Sequence, residues 1–169
     1  MTINHPSIRS GIGYDVHRLV AGRPLVIGGV RFVSDVGLDG HSDADVLLHA
    51  IADAILGAAA LGDIGQHFPP GDPEWAGADS IALLTACVVK LNEAGWTVGN
   101  VDATVIAELP RINPRADEMR TRIAAALGVG FDGVSLKATT NELLGAIGRG
   151  EGIAALATAT IFRRPEDAG

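Results

Sequence analysis

The stretch GIGYDVHRLV, residues 11–20, sets a carboxylate, Asp15, and an imidazole, His17, two positions apart behind an apolar lead-in. β-Branched and aromatic neighbours favour an extended conformation, in which residues two apart point to the same face. Asp15 and His17 therefore stand side by side. Such a pair can hold a metal ion, serve as a general-base dyad or make a plain structural hydrogen bond. Taken alone, the structural bond is the most economical of the three.

The remainder of the 169-residue chain narrows the setting. Its length fits one domain with a real core. Hydrophobic residues make up 47% but aromatic ones only 4%, so that core is aliphatic and packs around Ala and Gly. A mean hydropathy of +0.28 implies apolar surface covered by further copies of the chain. A net charge of −7 argues against broad nucleic-acid binding, which needs a basic face. An anionic small molecule remains compatible if a metal supplies positive charge locally. Cys87, the single cysteine, lies in an aliphatic run and reads as a buried, inert thiol. One cysteine allows no intramolecular disulfide, as in a reducing compartment. The start, MTINHPSIRS, lacks the pattern of a signal peptide, and the apolar windows are broken by His49 and Asp53 or too short to span a bilayer. A cytoplasmic protein without membrane contact is expected.

Working outward, LVIGGVRFV (25–33) reads as a β-hairpin about Gly28-Gly29. HSDADVLLHAIADAILGAAA (41–60) has helical periodicity, with Ser42 or Asp43 as N-cap and an end near Gly62. The Gly- and Pro-rich segment 61–79 is long enough to be a functional loop. A second helix starts at Asp79 or Ser80 and stops at Gly95; a third covers 114–128. Strands are expected at 96–109, 134–139 and 152–162, with short tails at 1–7 and 163–169. The expected fold is a single α/β (α+β) domain over 1–169, a mixed sheet covered by helices.

Three constellations carry possible chemistry. His49 lies in line with Asp45 and Asp53 on the first helix, a stripe that a solvated face explains equally well. With Asp15 and His17 it would complete one carboxylate and two imidazoles, suited to a catalytic zinc with an open position. The same donors also describe the non-haem Fe(II) triad, although Asp-x-His reverses its order. GHSDAD (40–45) offers a helix N-terminus as a phosphate site beside His41 and Ser42, or an ordinary cap. KATTNELLGAIGRGEG (137–152) brings Thr139, Thr140 and a carboxylate, Glu142, that suits a hard cation such as Mg²⁺; otherwise it is a Gly-rich turn between strands. No GxSxG, phosphate-loop GKS or CxxC occurs, so acyl-enzyme, NTPase and thiol-redox chemistry have no motif.

Taken together, GYDVHR, HSDADVLLHAIADAILGAAALGDIG, FP with GADS, GNVDATVIAELPR and KATTNELLGAIGRGEGIA resemble the 2-C-methyl-D-erythritol 2,4-cyclodiphosphate synthase family, from about Ile12 to Phe162. The resemblance implies a homotrimer with active sites between subunits and a cytidine diphosphate substrate. It implies zinc on Asp15, His17 and His49, and Mg²⁺ or Mn²⁺ near Glu142. His41 and Ser42 would hold the methylerythritol phosphate end, with His41 and Thr140 as the pair stabilising the transition state. Asp63 and Gly65 correspond to ribose and substrate contacts, and Phe68 to Asp72 to a substrate lid. Ala107, Arg111, Asn113, Thr139 and Thr140 match the cytidine and diphosphate pocket. Arg149 would lie at a central trimer cavity, where some members bind an isoprenoid diphosphate. Three positions depart from the family pattern: Pro70 replaces a common Asp in the lid, Arg111 a common Lys, and Ala146 an aromatic residue of the cavity. A trimeric sensor built on the same scaffold is the non-enzymatic alternative.

Overall fold

The computed structural model describes residues 8–69, 71–75 and 77–164. The expected tail at 1–7 lies outside them, as do residues 165–169 of the expected tail at 163–169 and Pro70 of the expected lid. Strand β1 (Ile8–Ala21) is followed by the hairpin β2 (Leu25–Ile27) and β3 (Val30–Phe32), then β4 (Val36–Leu38) and helix α1 (Val46–Ala58). A single helical turn, α2 (Ile64–His67), precedes helix α3 (Ser80–Glu93) and strand β5 (Trp96–Ile106). Helix α4 (Ala116–Leu127), strand β6 (Val134–Thr139), the short α5 (Gly145–Gly148) and strand β7 (Gly152–Arg163) complete the chain.

The main sheet runs β4-β1-β7-β5-β6, with β2 and β3 as a separate pair about Gly28-Gly29. The apolar β7 is central and antiparallel to β1, from Ile8 opposite Phe162 to Arg18 opposite Gly152. It is also antiparallel to β5. Strands β5 and β6 are parallel, joined by the α4 crossover that parallel pairing requires. The sheet is therefore mixed, as expected. Pairing extends one residue beyond the expected strand end, because Arg163 lies opposite Trp96 and its guanidinium sits 5.4 Å from that ring's centroid.

Helix α1 lies over β1 and β7 with a nearly all-aliphatic surface, and Leu47, Leu48, Ile51, Ile55 and Leu56 are fully buried. Each such side chain contributes ~1.5–3 kcal/mol over exposure. Its approach is unusually close. On β1, a Cβ at Gly13 would overlap the Ala50 carbonyl oxygen, and one at Gly11 that of Ala54. The opposite face of the sheet carries Ile12, Tyr14 and Val16, exposed together with Leu156 and Phe162. No helix among the described residues is long and apolar enough to cross a membrane.

The start of α1 corrects the expectation of an N-cap at Ser42 or Asp43. The cap is Asp45, because Ala44 takes a left-handed conformation (φ 57°) that turns residues 42–45 away from helix. Asp45 is completely buried, and its carboxylate accepts from the backbone N–H groups of Leu47, Leu48, Gly28 and Gly29. The stripe Asp45, His49, Asp53 is thus no solvated face. One carboxylate instead joins the hairpin turn to the helix. Of the two residues expected to start the second helix, Asp79 caps α3, and within the expected 114–128 α4 is closed by Gly128 in the left-handed conformation.

Replacing Asp45 by Ala removes a cap, about 1 kcal/mol, and strands buried N–H groups at ~1–3 kcal/mol each. Urea unfolding at fixed protein concentration should show a loss of about 3 kcal/mol. Burial, reinforced by the charge of Asp53, pushes the Cys87 thiol up to about 12. At pH 8 only ~10⁻⁴ of it is thiolate. Iodoacetamide should leave the native protein unlabelled at pH 8 and label it stoichiometrically after denaturation.

Candidate active site

The extended backbone of β1 carries Asp15 and His17 on the side that meets α1, and His49 lies one turn inside that helix. Their donor atoms form a compact triangle. Asp15 Oδ2 is 3.0 Å from His17 Nε2 and 3.0 Å from His49 Nδ1. The two imidazole nitrogens are 3.3 Å apart. All three side chains are partly buried, and one donor atom from each lies within 4.8 Å of the others. Among the described residues this is the sole group of three or more His, Cys, Asp or Glu side chains with that convergence. The pair that the sequence left open between a structural bond and a metal site is part of a three-donor cluster.

Electrostatics keep the cluster ready for a cation. Burial alone would push the Asp15 carboxyl up, but hydrogen bonds from His17 and His49, and their charges, hold it well below the usual carboxylate range. Burial likewise disfavours a charged His17, and the hydrogen bond and charge of Asp15 outweigh it, raising that imidazole. The other nitrogen of His17 is 2.5 Å from the Asp39 carbonyl oxygen. A carbonyl only accepts, so Nδ1 carries a proton, and a cation that displaces the Nε2 proton shared with Asp15 would meet the Nε2 lone pair of a neutral ring.

A cavity of about 200 Å³ opens beside these donors. His17, His49, His41 and Ser42 line one side, and Gly65, Phe68, Asp72 and Trp75 another. The Phe68 and Trp75 rings meet edge to face, 4.9 Å apart. Asp63 does not line this cavity. It caps α2 and accepts from the backbone and side-chain amides of Gln66. At the helix N-terminus expected as a phosphate site, the Asp45 carboxylate takes the Leu47 and Leu48 N–H groups. The Ser42 hydroxyl accepts from the Ala44 N–H, 3.0 Å away.

Ala107, Arg111, Asn113, Thr139 and Thr140 gather around a different cavity, of about 470 Å³, at the ends of β5 and β6. It shares no lining residue with the first. His41 and Thr140, expected as one catalytic pair, therefore line separate cavities of the single chain. Glu142 and Leu143 both adopt left-handed conformations (φ 50° and 61°), and the Thr140 hydroxyl donates to Glu142 at 3.0 Å. Arg149 is exposed and paired with Glu151 at 2.6 Å.

The sequence reading missed two supporting residues. Glu108 accepts from the N–H groups of Asn141 and Leu143, fixing the turn that bears Glu142. Arg23 donates to the carbonyl oxygens of Gly40 and Ser42, one on each side of His41. No local pattern marks either, because each partner is 17 or more residues away.

Comparison with known proteins agrees with this geometry. Residues 8–162 match the YgbB family. A 2-C-methyl-D-erythritol 2,4-cyclodiphosphate synthase of Thermosynechococcus vestitus is 59% identical over 154 residues, covering 91% of this chain and 96% of that protein. Among solved structures, the bifunctional IspDF of Campylobacter jejuni superposes with a TM-score of 0.90 at 40% identity, over 94% of this chain and 43% of that one. The chain thus spans less than half of that bifunctional protein. The Plasmodium falciparum IspF in complex with CDP gives a TM-score of 0.82 at 31% identity, over 96% of this chain and all of the other.

The cluster depends on the bare glycine that lets α1 approach β1. Replacing Gly13 by Ala should cost about 1–3 kcal/mol through overpacking and move His49 away from Asp15. Urea unfolding should show the loss, and equilibrium dialysis against zinc should show reduced uptake.

Proposed function

The chain belongs to the YgbB family and has the cyclodiphosphate synthase activity of its relatives, and we propose that it exerts it as a metal-dependent phosphorus–oxygen lyase whose active site is completed by a second copy. The substrate is 4-diphosphocytidyl-2-C-methyl-D-erythritol 2-phosphate. An oxygen of its 2-phosphate bonds to the β-phosphorus, the bond from that phosphorus to the α-phosphate oxygen breaks, and CMP leaves with the electron pair. The product is 2-C-methyl-D-erythritol 2,4-cyclodiphosphate. No water enters, and no enzyme nucleophile is needed because the attacking group is already an anion. The assignment displaces the Fe(II) oxygenase reading.

One observation carries the proposal: the convergence of Asp15, His17 and His49 beside a cavity. One carboxylate and two imidazoles suit zinc with an open position; a single carboxylate near phosphates suits Mg²⁺ or Mn²⁺. Asp15, His17 and His49 would hold the first ion and Glu142 the second, which when bound supply positive charge to the β-phosphate and to departing CMP. His41 and Ser42 orient the 2-phosphate from the cavity wall, and Arg23 holds their backbone in place. Phe68 and Trp75 shield the cavity and limit hydrolysis by water. Ala107, Arg111, Asn113, Thr139 and Thr140 bind the cytidine diphosphate end, with Thr140 opposite His41 of a neighbouring copy.

The division of these residues between two separate cavities supports a shared site, and the exposed Ile12, Tyr14 and Val16 offer an apolar surface for assembly. A homotrimer satisfies both.

Incubation with substrate, zinc and Mg²⁺ should yield CMP and the cyclic product together by phosphorus NMR, and both should vanish on chelation. Replacing Asp15 by Ala should abolish zinc uptake and lower turnover by more than the ~10²–10³-fold that one lost electrostatic contact costs, leaving the particle size unchanged. A metal-loaded, active Asp15 variant would overturn the metal assignment. CMP without cyclic product would make water the nucleophile and refute the placement of His41 and Ser42.

A further inference from the structure

Behind His49, on the side away from the cluster, lies an arrangement that the mechanism above does not use. His49 Nε2 is 3.2 Å from the Ser80 hydroxyl oxygen and 3.3 Å from that of Ser42. Ser80, the first residue of α3, is only 1% exposed. Its hydroxyl donates to Asp43 Oδ1, and its backbone N–H donates to Asp43 Oδ2 at 3.1 Å. The Asp43 carboxylate also accepts from the Asp45 N–H, and the Asp43 N–H donates to the Ala78 carbonyl oxygen. The turn before α1 and the start of α3 are thus tied together through one carboxylate.

We propose that Asp43 and Ser80 are positioning residues that set the tautomer of His49 and thereby its strength as a metal ligand; this rests on the reading of Asp15, His17 and His49 as a metal site. A carboxylate cannot donate, so the Ser80 proton points to Asp43, and the lone pairs of the Ser80 oxygen are what faces His49. A ring nitrogen facing a lone pair must carry the proton. Nε2 is then the N–H of His49, so that a cation entering the cluster displaces only the Nδ1 proton shared with Asp15 and meets the Nδ1 lone pair. This parallels the Asp39 carbonyl behind His17, so each imidazole has an oxygen at its back that turns the correct nitrogen to the cluster. Ser42 is a weaker candidate for the task, because it lines the cavity and its hydroxyl is open to reorientation by a bound phosphate. Ser80 is enclosed and keeps its role whether substrate is present or not.

The test is zinc affinity of the full chain, measured by competition with a chromophoric chelator. Losing such a supporting partner costs ~10–100-fold in metal affinity. Ser80→Ala and Asp43→Asn should each lose about that factor, and Ser80→Thr should restore most of it. A ¹H–¹⁵N spectrum of the zinc-loaded protein should show a protected His49 Nε2–H that becomes rapidly exchanging in Ser80→Ala, a change that simple destabilisation of the fold does not produce. If the parent protein binds zinc and Ser80→Ala binds it equally tightly, or if the loaded His49 carries its proton on Nδ1, the inference is overturned. Failure of the parent protein itself to take up zinc overturns the underlying metal reading and the inference with it.

Discussion

The packing of α1 on β1 at glycine distance is the constraint on which the site depends. Interhelical and helix–sheet spacings are normally set by side chains. Here the strand offers no Cβ at Gly11 or Gly13, and the helix offers Ala50, Ala54 and Ala58 in return. Only this contact brings a helical imidazole within 3.0 Å of a strand carboxylate. The low aromatic content, the many alanines and the placement of the cluster are one fact seen at three scales. A bulkier core would bury more area per residue but would hold His49 too far from Asp15.

A second consequence is how the functional loops are anchored. Asp45 binds the hairpin turn to α1, Asp43 binds α1 to α3, and Arg23 spans the carbonyls on either side of His41. Three buried or half-buried side chains thus fix the segment 40–45 without regular secondary structure. Chemistry placed on a loop gains precision when its backbone groups are all engaged, since each unsatisfied group would otherwise relax toward water.

The periodic features of the fold were legible in the sequence. The hairpin at Gly28-Gly29, the α3 cap at Asp79 and strand β6 over 134–139 follow from turn chemistry and alternation. The α1 start was misread because three of four successive residues, Ser42, Asp43 and Asp45, are all good caps. What decides among them is the left-handed Ala44 and the distant N–H groups of Gly28 and Gly29, neither of which leaves a local mark. For the site, spacing put Asp15 and His17 together, but the union with His49 crosses 34 residues and needed family resemblance to anticipate it. The separation of His41 from Thr140 into two cavities is a property of sheet order. With β1 and β6 divided by β7 and β5, no reading of single motifs exposes it.

Charge is the remaining problem for a chain of net −7 that handles three phosphate groups. Among the cations near the cavities, Arg23 commits both terminal nitrogens to the carbonyls of Gly40 and Ser42, and its Nε is buried without a hydrogen-bond partner. Arg149 is neutralised by Glu151. Arg111 lines the larger cavity at the ends of β5 and β6, far too little positive charge to gather three phosphates by itself. Surface charge would not serve either, since an exposed cation is screened within ~10 Å at ordinary ionic strength. A partly buried cluster of one carboxylate and two imidazoles answers this economically. It carries at most a single negative charge, so a divalent ion held there would keep a net positive charge beside the cavity that His41 and Ser42 line, while the net charge of the chain stays negative.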